Sequence, residues 1–213
     1  NKPPFTAKQA QKLLDFCELV NPIIKRIYGA PARNHMVSLV NGGQESERNF
    51  VYNNTNELIT SCAINSYGDL AQPRLLVHEL VHAYRDNVVL TSDAFWQNNA
   101  VLSGFEEGMA EATALLVMEE FIGLYPNFFK APKFKTYWNH ARGMSHAWEY
   151  DFQNHEQLRN IQFYSAGGKI GSVNLRYSMS ETFFKKMYLE DAGIFKKFNN
   201  LYYKILNSNH HIT

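Results

Sequence analysis

Two histidines stand four residues apart, with a glutamate directly after the first, in the run LLVHELVHAYRDN from Leu75 to Asn87. On an α-helix His78 and His82 lie one turn apart on the same face, so both rings can reach one ion. Glu79 is turned about 100° from His78, close enough to touch a water on that ion without displacing it. Zinc in catalytic sites takes three protein ligands and keeps a fourth position for water, so the pair calls for one more ligand. Leu75, Leu76, Leu80 and Val81 mark this as a buried helix. Two imidazoles and a carboxylate are costly there unless they have partners. The competing reading is a helix that carries solvated or hydrogen-bonded histidines and no metal.

The third ligand is expected on a second helix packed against the first, and GFEEGMAEA supplies it. Glu107 lies 25 positions after His82 (107 − 82), enough chain for a loop and a return. Glu107 and Glu111 again stand one turn apart on one face. One carboxylate can bind the metal while the other accepts the outward N–H of a ligating histidine. The remainder of this helix, Met109, Ala110, Ala112, Ala114, Leu115, Leu116 and Val117, is small or apolar, which lets two helices approach closely. Taken alone, a glutamate-rich helix start is ordinary dipole chemistry. Beside the histidine pair it becomes a ligand candidate.

HELVH followed by EEGMAE resembles the gluzincin metallopeptidases, the thermolysin-like and aminopeptidase-N-like clan. The likeness spans Leu75 to Val117, about a fifth of the chain. It implies a single catalytic zinc held by His78, His82 and Glu107, with Glu79 as general base and Glu111 as the outer acid four residues beyond the ligand. Glu106 occupies the place where the clan usually carries an asparagine. The clan also sets an edge strand just before the first active-site helix, and substrate backbone pairs with it. LITSCAIN, Leu58 to Asn65, is in the corresponding place. Aminopeptidases of the clan carry a glutamate here that holds the free amine of the substrate. SCAIN has no acid, so the resemblance favours cleavage within chains, with Glu106 as the one alternative amine anchor. LRYSMSETFFKKMYL resembles the tyrosine-bearing segment that follows the zinc site, which implies Tyr177 as the donor to the oxyanion of the transition state. His146, His155, Tyr164 and Arg176 are its rivals, and His210 and His211 read as solvated.

The elements that must position these groups are legible in outline. TAKQAQKLLDFCELVNPIIKRIYG opens with the capping residue Thr6 and closes with Gly29, with apolar residues at helical spacing and Pro22 as a break. HMVSLVN, NFVYN and ELITSCAIN read as a small antiparallel sheet. Asp69 is expected to cap the active-site helix, with Pro73 in its first turn and its end near Asn87. Ser103 and Glu106 form a capping box for the second helix, and Gly123 and Pro126 supply its stop. The C-terminal stretch reads as two amphipathic helices meeting near Asp191 to Gly193. Strands first and helices after is an α+β order. With the resemblance, the expectation is a zincin-like α+β fold, a small antiparallel sheet packed on the active-site helix and then a mainly helical lower lobe. The 213 residues form one catalytic domain, with an upper lobe over about 1–90 and a lower lobe over about 91–213.

Composition narrows the partners. A net charge of +1 offers no basic excess for nucleic acid or an anionic membrane, and no apolar run reaches the roughly 18–20 residues that span a bilayer. Two cysteines, Cys17 and Cys62, make no disulfide framework; one bridge and two buried thiols are both open. The N-terminus NKPPFTAKQ lacks an initiator methionine, and Asn53 to Thr55 form a glycosylation-type sequon. The chain therefore reads as a processed product or a domain excised from a longer parent, in a secreted or extracytoplasmic setting. The function expected is zinc-dependent hydrolysis of a peptide bond in a peptide or protein substrate. Rival readings are a narrow-specificity toxin or effector protease, an amide hydrolase acting on a non-protein substrate, and a zinc-binding pseudoenzyme or interaction module.

Overall fold

The computed structural model describes residues 4–31, 36–41, 51–52, 57–62, 64, 68–70, 72–84, 100–130 and 183–207. The first element, α1 (Ala7–Tyr28), starts at the capping residue Thr6 expected from its sequence, and Gln9 completes a capping box with it. The Thr6 hydroxyl accepts from the Gln9 N–H, and the Gln9 side chain accepts from the Thr6 N–H at 2.9 Å. Its buried stripe runs Leu13, Phe16, Val20, Ile23, Ile24, Ile27 and Tyr28, a spacing of three and four that puts one face inward. Leu14, next to this stripe, is 53% exposed. Pro22 does not break the helix, contrary to expectation. An interior proline costs about 3 kcal/mol. The three isoleucines beyond it are buried and contribute about 1.5–3 kcal/mol each, so propagation wins. Asn21 and Pro22 are themselves exposed, so the proline sits on the solvent side. The helix ends at Gly29, whose φ of 109° is open to glycine and strained for other residues.

The strands β1 (Met36–Asn41), β2 (Val51–Tyr52) and β3 (Glu57–Cys62) form a three-stranded sheet in the order β1-β3-β2. It is mixed, which corrects the antiparallel expectation. β2 pairs antiparallel with β3, whereas β1 runs parallel to β3 from Met36 opposite Glu57 to Asn41 opposite Cys62. The reason is topological. The chain reverses into β2 and reverses again into β3, which then inserts between its two predecessors and so points the same way as β1. Local alternation marks a strand but does not choose its neighbour. The same insertion corrects a second expectation, since Leu58 and Ile59 are paired on both sides and are not at an edge.

β3 lies against α2 (Pro73–Tyr84), which begins at Pro73, a first-turn position where its missing N–H costs nothing. Gln72, not Asp69, holds the capping position, and its carbonyl accepts from Leu76. The next helix, α3 (Ala100–Leu124), starts ahead of Ser103, so Ser103 and Glu106 lie within it and do not form its cap. Its end at Leu124 agrees with the stop expected from Gly123 and Pro126. α3 is the central element. Met109, Ala110, Ala112, Ala114, Leu115, Val117, Met118 and Phe121 are all buried, and α1 and α2 both pack on it. A helix with apolar residues over most of its circumference buries most of it, leaving Glu111, Glu119 and Glu120 half-buried. Further on, residues 183–190 are helical and α4 (Ile194–Asn207) follows, as the two amphipathic helices foreseen. Phe184 and Tyr188 meet Phe195 with ring centroids 6.1 and 5.4 Å apart. At the turn, the Asp191 carboxylate accepts from Lys197 Nζ and the Gly193 N–H, which together hold its pKa below the ordinary value. Asn199 Nδ2 donates to the Tyr28 carbonyl at 2.6 Å, satisfying one of the acceptors left over at the end of α1.

Asp69 serves a longer-range purpose than the cap expected of it. It is 1% exposed, and its carboxylate accepts from the Lys130 N–H at 2.8 Å while Lys12 Nζ of α1 stands 3.5 Å away. Lys12 also donates to the Phe128 carbonyl and lies 3.7 Å above the Phe128 ring. The group ties α1, the approach to α2 and the chain leaving α3 beside a cluster of Phe16, Phe121, Phe128 and Phe129. Removing one partner of a buried ion pair typically costs about 3–5 kcal/mol, because the other is left uncompensated. Asp69→Ala is therefore expected to lower the urea unfolding free energy by about that amount. A loss under about 1 kcal/mol, the range of an exposed pair, would show that the group does not hold these segments together.

Candidate metal centre

α2 carries the candidate metal-binding group. Leu76, Val77 and Val81 are buried in the shared core, and this burial holds the helix in place. His78, Glu79 and His82 are buried too, at 5%, 9% and 9% exposure. One turn separates the histidines, and their rings meet edge to face with centroids 4.7 Å apart. One ligand atom from each of His78, Glu79 and His82 lies within 4.8 Å of the other two. The structure thus brings together three of the residues singled out by spacing.

The proton positions follow from Glu111. Its Oε1 pairs with Arg74 Nη1, and its Oε2 lies 2.8 Å from His78 Nδ1. An ionised carboxylate only accepts, so His78 Nδ1 carries the hydrogen and donates it. In the neutral ring Nε2 is then the lone-pair nitrogen, and it faces His82 Nε2 at 3.1 Å. Two lone pairs at that distance repel unless something positive lies between them. Either His82 donates an N–H to His78, or both nitrogens share a cation. Two imidazole nitrogens on one tetrahedral zinc, each at about 2.0–2.1 Å, stand about 3.3 Å apart. The donor set, two neutral nitrogens with one ring fixed from behind by a carboxylate, fits a zinc-type ion.

Glu111, on α3, thus stands against the Nδ1 side of the His78 ring. Arg74 is the residue that sequence reasoning passed over. It lies one turn before His78 on α2, and its Nε is buried with no hydrogen-bond partner among the described residues. A signal existed. A guanidinium in the first turn of an otherwise apolar helix needs a carboxylate, and the glutamates of α3 were at hand.

Glu107, the expected third ligand, lies in α3 one turn before Glu111, and Glu106 precedes it. Their side chains fall outside the described residues. Tyr177, His146, His155, Tyr164, Arg176, His210 and His211 also lie outside them. The two cysteines are free thiols. Burial pushes the Cys17 thiol up to about 11, with Glu18 adding to it, and the Cys62 thiol up to about 12, with Cys17 adding to it. Neither thiol belongs to the cluster of His78, Glu79 and His82. A cleft of about 560 Å³ lined by Leu13, Cys17, Leu39, Leu80 and Tyr84 among others is separate from the histidine pair, which does not line it.

No family model matches the chain, and neither a curated protein nor a solved structure matches it. The reading of the centre rests on its own geometry. The assignment of the His78 proton has a direct check in imidazole-tuned ¹⁵N NMR of the metal-free protein. His78 is expected to show the Nδ1–H tautomer, and Glu111→Leu is expected to abolish that preference. An Nε2–H signal for wild-type His78 would reverse the assignment.

Proposed function

We propose that the chain is a zinc-dependent peptidase that hydrolyses bonds within peptide chains. The observation carrying this reading is the convergence of His78 Nε2 and His82 Nε2 at 3.1 Å, with the Glu79 carboxylate in the same cluster. His78, His82 and Glu107 would hold the metal, Glu107 by its place one helical turn before Glu111. Zinc bound there supplies Lewis acidity toward a carbonyl and a water of lowered pKa.

Each remaining task falls to a residue of the chain. The Glu79 carboxylate, adjacent in sequence to one ligand and turned from it on the helix, takes a proton from the attacking water and hands it to the leaving amine nitrogen. His78 is held by Glu111, so its ring does not have to reorganise during turnover. Tyr177 is proposed as the donor that steadies the oxyanion. Cleavage within chains is preferred because SCAIN, before α2, has no acid to hold a free amine. No described helix is long and apolar enough to cross a membrane.

Base and ligand roles separate cleanly by mutation. Wild type is expected to bind one zinc per chain and to cleave members of a peptide library. Glu79→Gln should keep the zinc while turnover falls by about 10²–10⁴. His82→Ala should lose the zinc itself. A Glu79→Gln protein with normal turnover would remove the mechanism, and full zinc retention in His82→Ala would remove the ligand assignment.

The endopeptidase preference is tested by acetylating the N-terminus of a good peptide substrate. Cleavage is expected to continue at a similar rate. If acetylation abolishes it, the protein removes N-terminal residues and Glu106 becomes the amine anchor to examine.

A further inference from the structure

Arg74 has no part in the scheme above, yet its position is tightly constrained. It stands one turn before His78 on the same face of α2, and both reach the one Glu111 carboxylate on α3. The carboxylate has two oxygens, and each has a different partner: Oε1 takes Arg74 Nη1 and Oε2 takes His78 Nδ1. With the histidine alone, the carboxylate could rotate about its Cγ–Cδ bond or swing on its side chain. A second donor from the same helix sets both the plane and the reach of the group. The 21% exposed Arg74 and the 14% exposed Glu111 make this a largely enclosed pair, whose partners water does not readily replace. The placement is also unfavourable for arginine itself, since its Nε is buried with no hydrogen-bond partner among the described residues. An unpaired buried N–H typically costs about 1–3 kcal/mol. A guanidinium placed only for stability would be expected to satisfy that atom.

We infer that Arg74 is a positioning residue for the metal centre, acting through Glu111 to hold the His78 ring in the orientation that aims Nε2 beside His82 Nε2. The inference rests on the zinc-peptidase reading and extends it to a residue outside the ligand set. By taking Oε1, Arg74 also keeps Glu111 in the outer position, as a hydrogen-bond acceptor for His78 and not as a ligand in its own right.

Two effects of the arginine on a bound dication oppose each other. Its positive charge repels the ion, while its grip on Glu111 strengthens the ligand. The repulsion is offset by the adjacent Glu111 charge and screened at the exposed part of the side chain. Loss of the carboxylate partner of a ligating histidine typically lowers metal affinity by about 10–100-fold. The positioning effect is therefore expected to win.

The test uses zinc affinity by chelator competition and the visible absorption of the cobalt-loaded protein, with thermal unfolding of the metal-free form as the control for folding. Arg74→Gln should bind zinc about 10-fold more weakly or worse and should alter the cobalt bands, because the ligand field reports ring orientation. A residue that merely stabilises the fold would lower the melting temperature and leave those bands unchanged. Because Arg74 acts through Glu111, Arg74→Gln/Glu111→Gln should bind zinc no more weakly than Glu111→Gln alone. That comparison also carries the test if Arg74→Gln by itself fails to fold, since replacing both partners leaves neither charge stranded. Unchanged or tighter zinc binding in folded Arg74→Gln overturns the inference and leaves the zinc reading intact. So does a further loss in the double variant. A wild type that takes up neither zinc nor cobalt overturns both.

Discussion

The contact between α2 and α3 through the Glu111 carboxylate is the constraint around which the described structure is arranged. α2 buries two imidazoles and a carboxylate on a helix that is otherwise apolar, and such groups are tolerated inside a protein only when partnered. The partner cannot come from α2, because the outward nitrogen of His78 points away from its own helix. It comes from α3, where Glu111 is the half-buried acid among buried alanines. Ala110, Ala112 and Ala114 matter for this reason. Small side chains shorten the distance between helix axes, and a glutamate has only three rotatable bonds with which to reach the ring.

The rest of the chain supports that contact from behind. α3 is enclosed because α1 covers it, and α1 remains one continuous helix because its burial outweighs the local cost of Pro22. Lys12 and Asp69 then fix the approach to α2 against the chain that leaves α3, so both ends of the helix pair are tethered to α1. Tyr84, at the far end of α2, donates its hydroxyl to Asn21, and burial raises its pKa so that the group stays a donor. The two helices that carry the candidate centre are thus held at both ends by groups outside it. The 2.8 Å contact between His78 and Glu111 crosses from one helix to the other and needs such a rigid frame, since small displacements of either helix would part the ring from its carboxylate.

The candidate centre was more legible than the fold around it. His78, Glu79 and His82 are brought together by helix geometry alone, and a helix over them follows from Pro73 and the leucine spacing. Glu111 was within reach of the same logic, because a carboxylate one turn beyond Glu107 shares its face. Arg74 was missed because its role exists only once α3 lies beside α2. Sheet direction was misread for a similar reason. β1, β2 and β3 each announce themselves by β-branched residues, but the insertion of β3 between the other two is a property of the assembled sheet.

Local code determined what lies within about a turn of itself: the Thr6 and Gln9 capping box, the glycine stop at Gly29, the two histidines on one face, and the turn between the last two helices. These depend on backbone geometry and nearest neighbours, which a short string of residues contains in full. Tertiary structure decided what Asp69, Arg74, Asn199 and Pro22 do. The partners of Asp69 and Asn199 lie 61 and 171 residues away, and the acid that joins Arg74 to His78 stands 33 residues beyond the histidine. Whether a buried charge is a cap, a clamp or a guide for a neighbouring ring depends on which opposite group the folded chain brings within about 3–4 Å, because at low local dielectric that one contact outweighs any local preference.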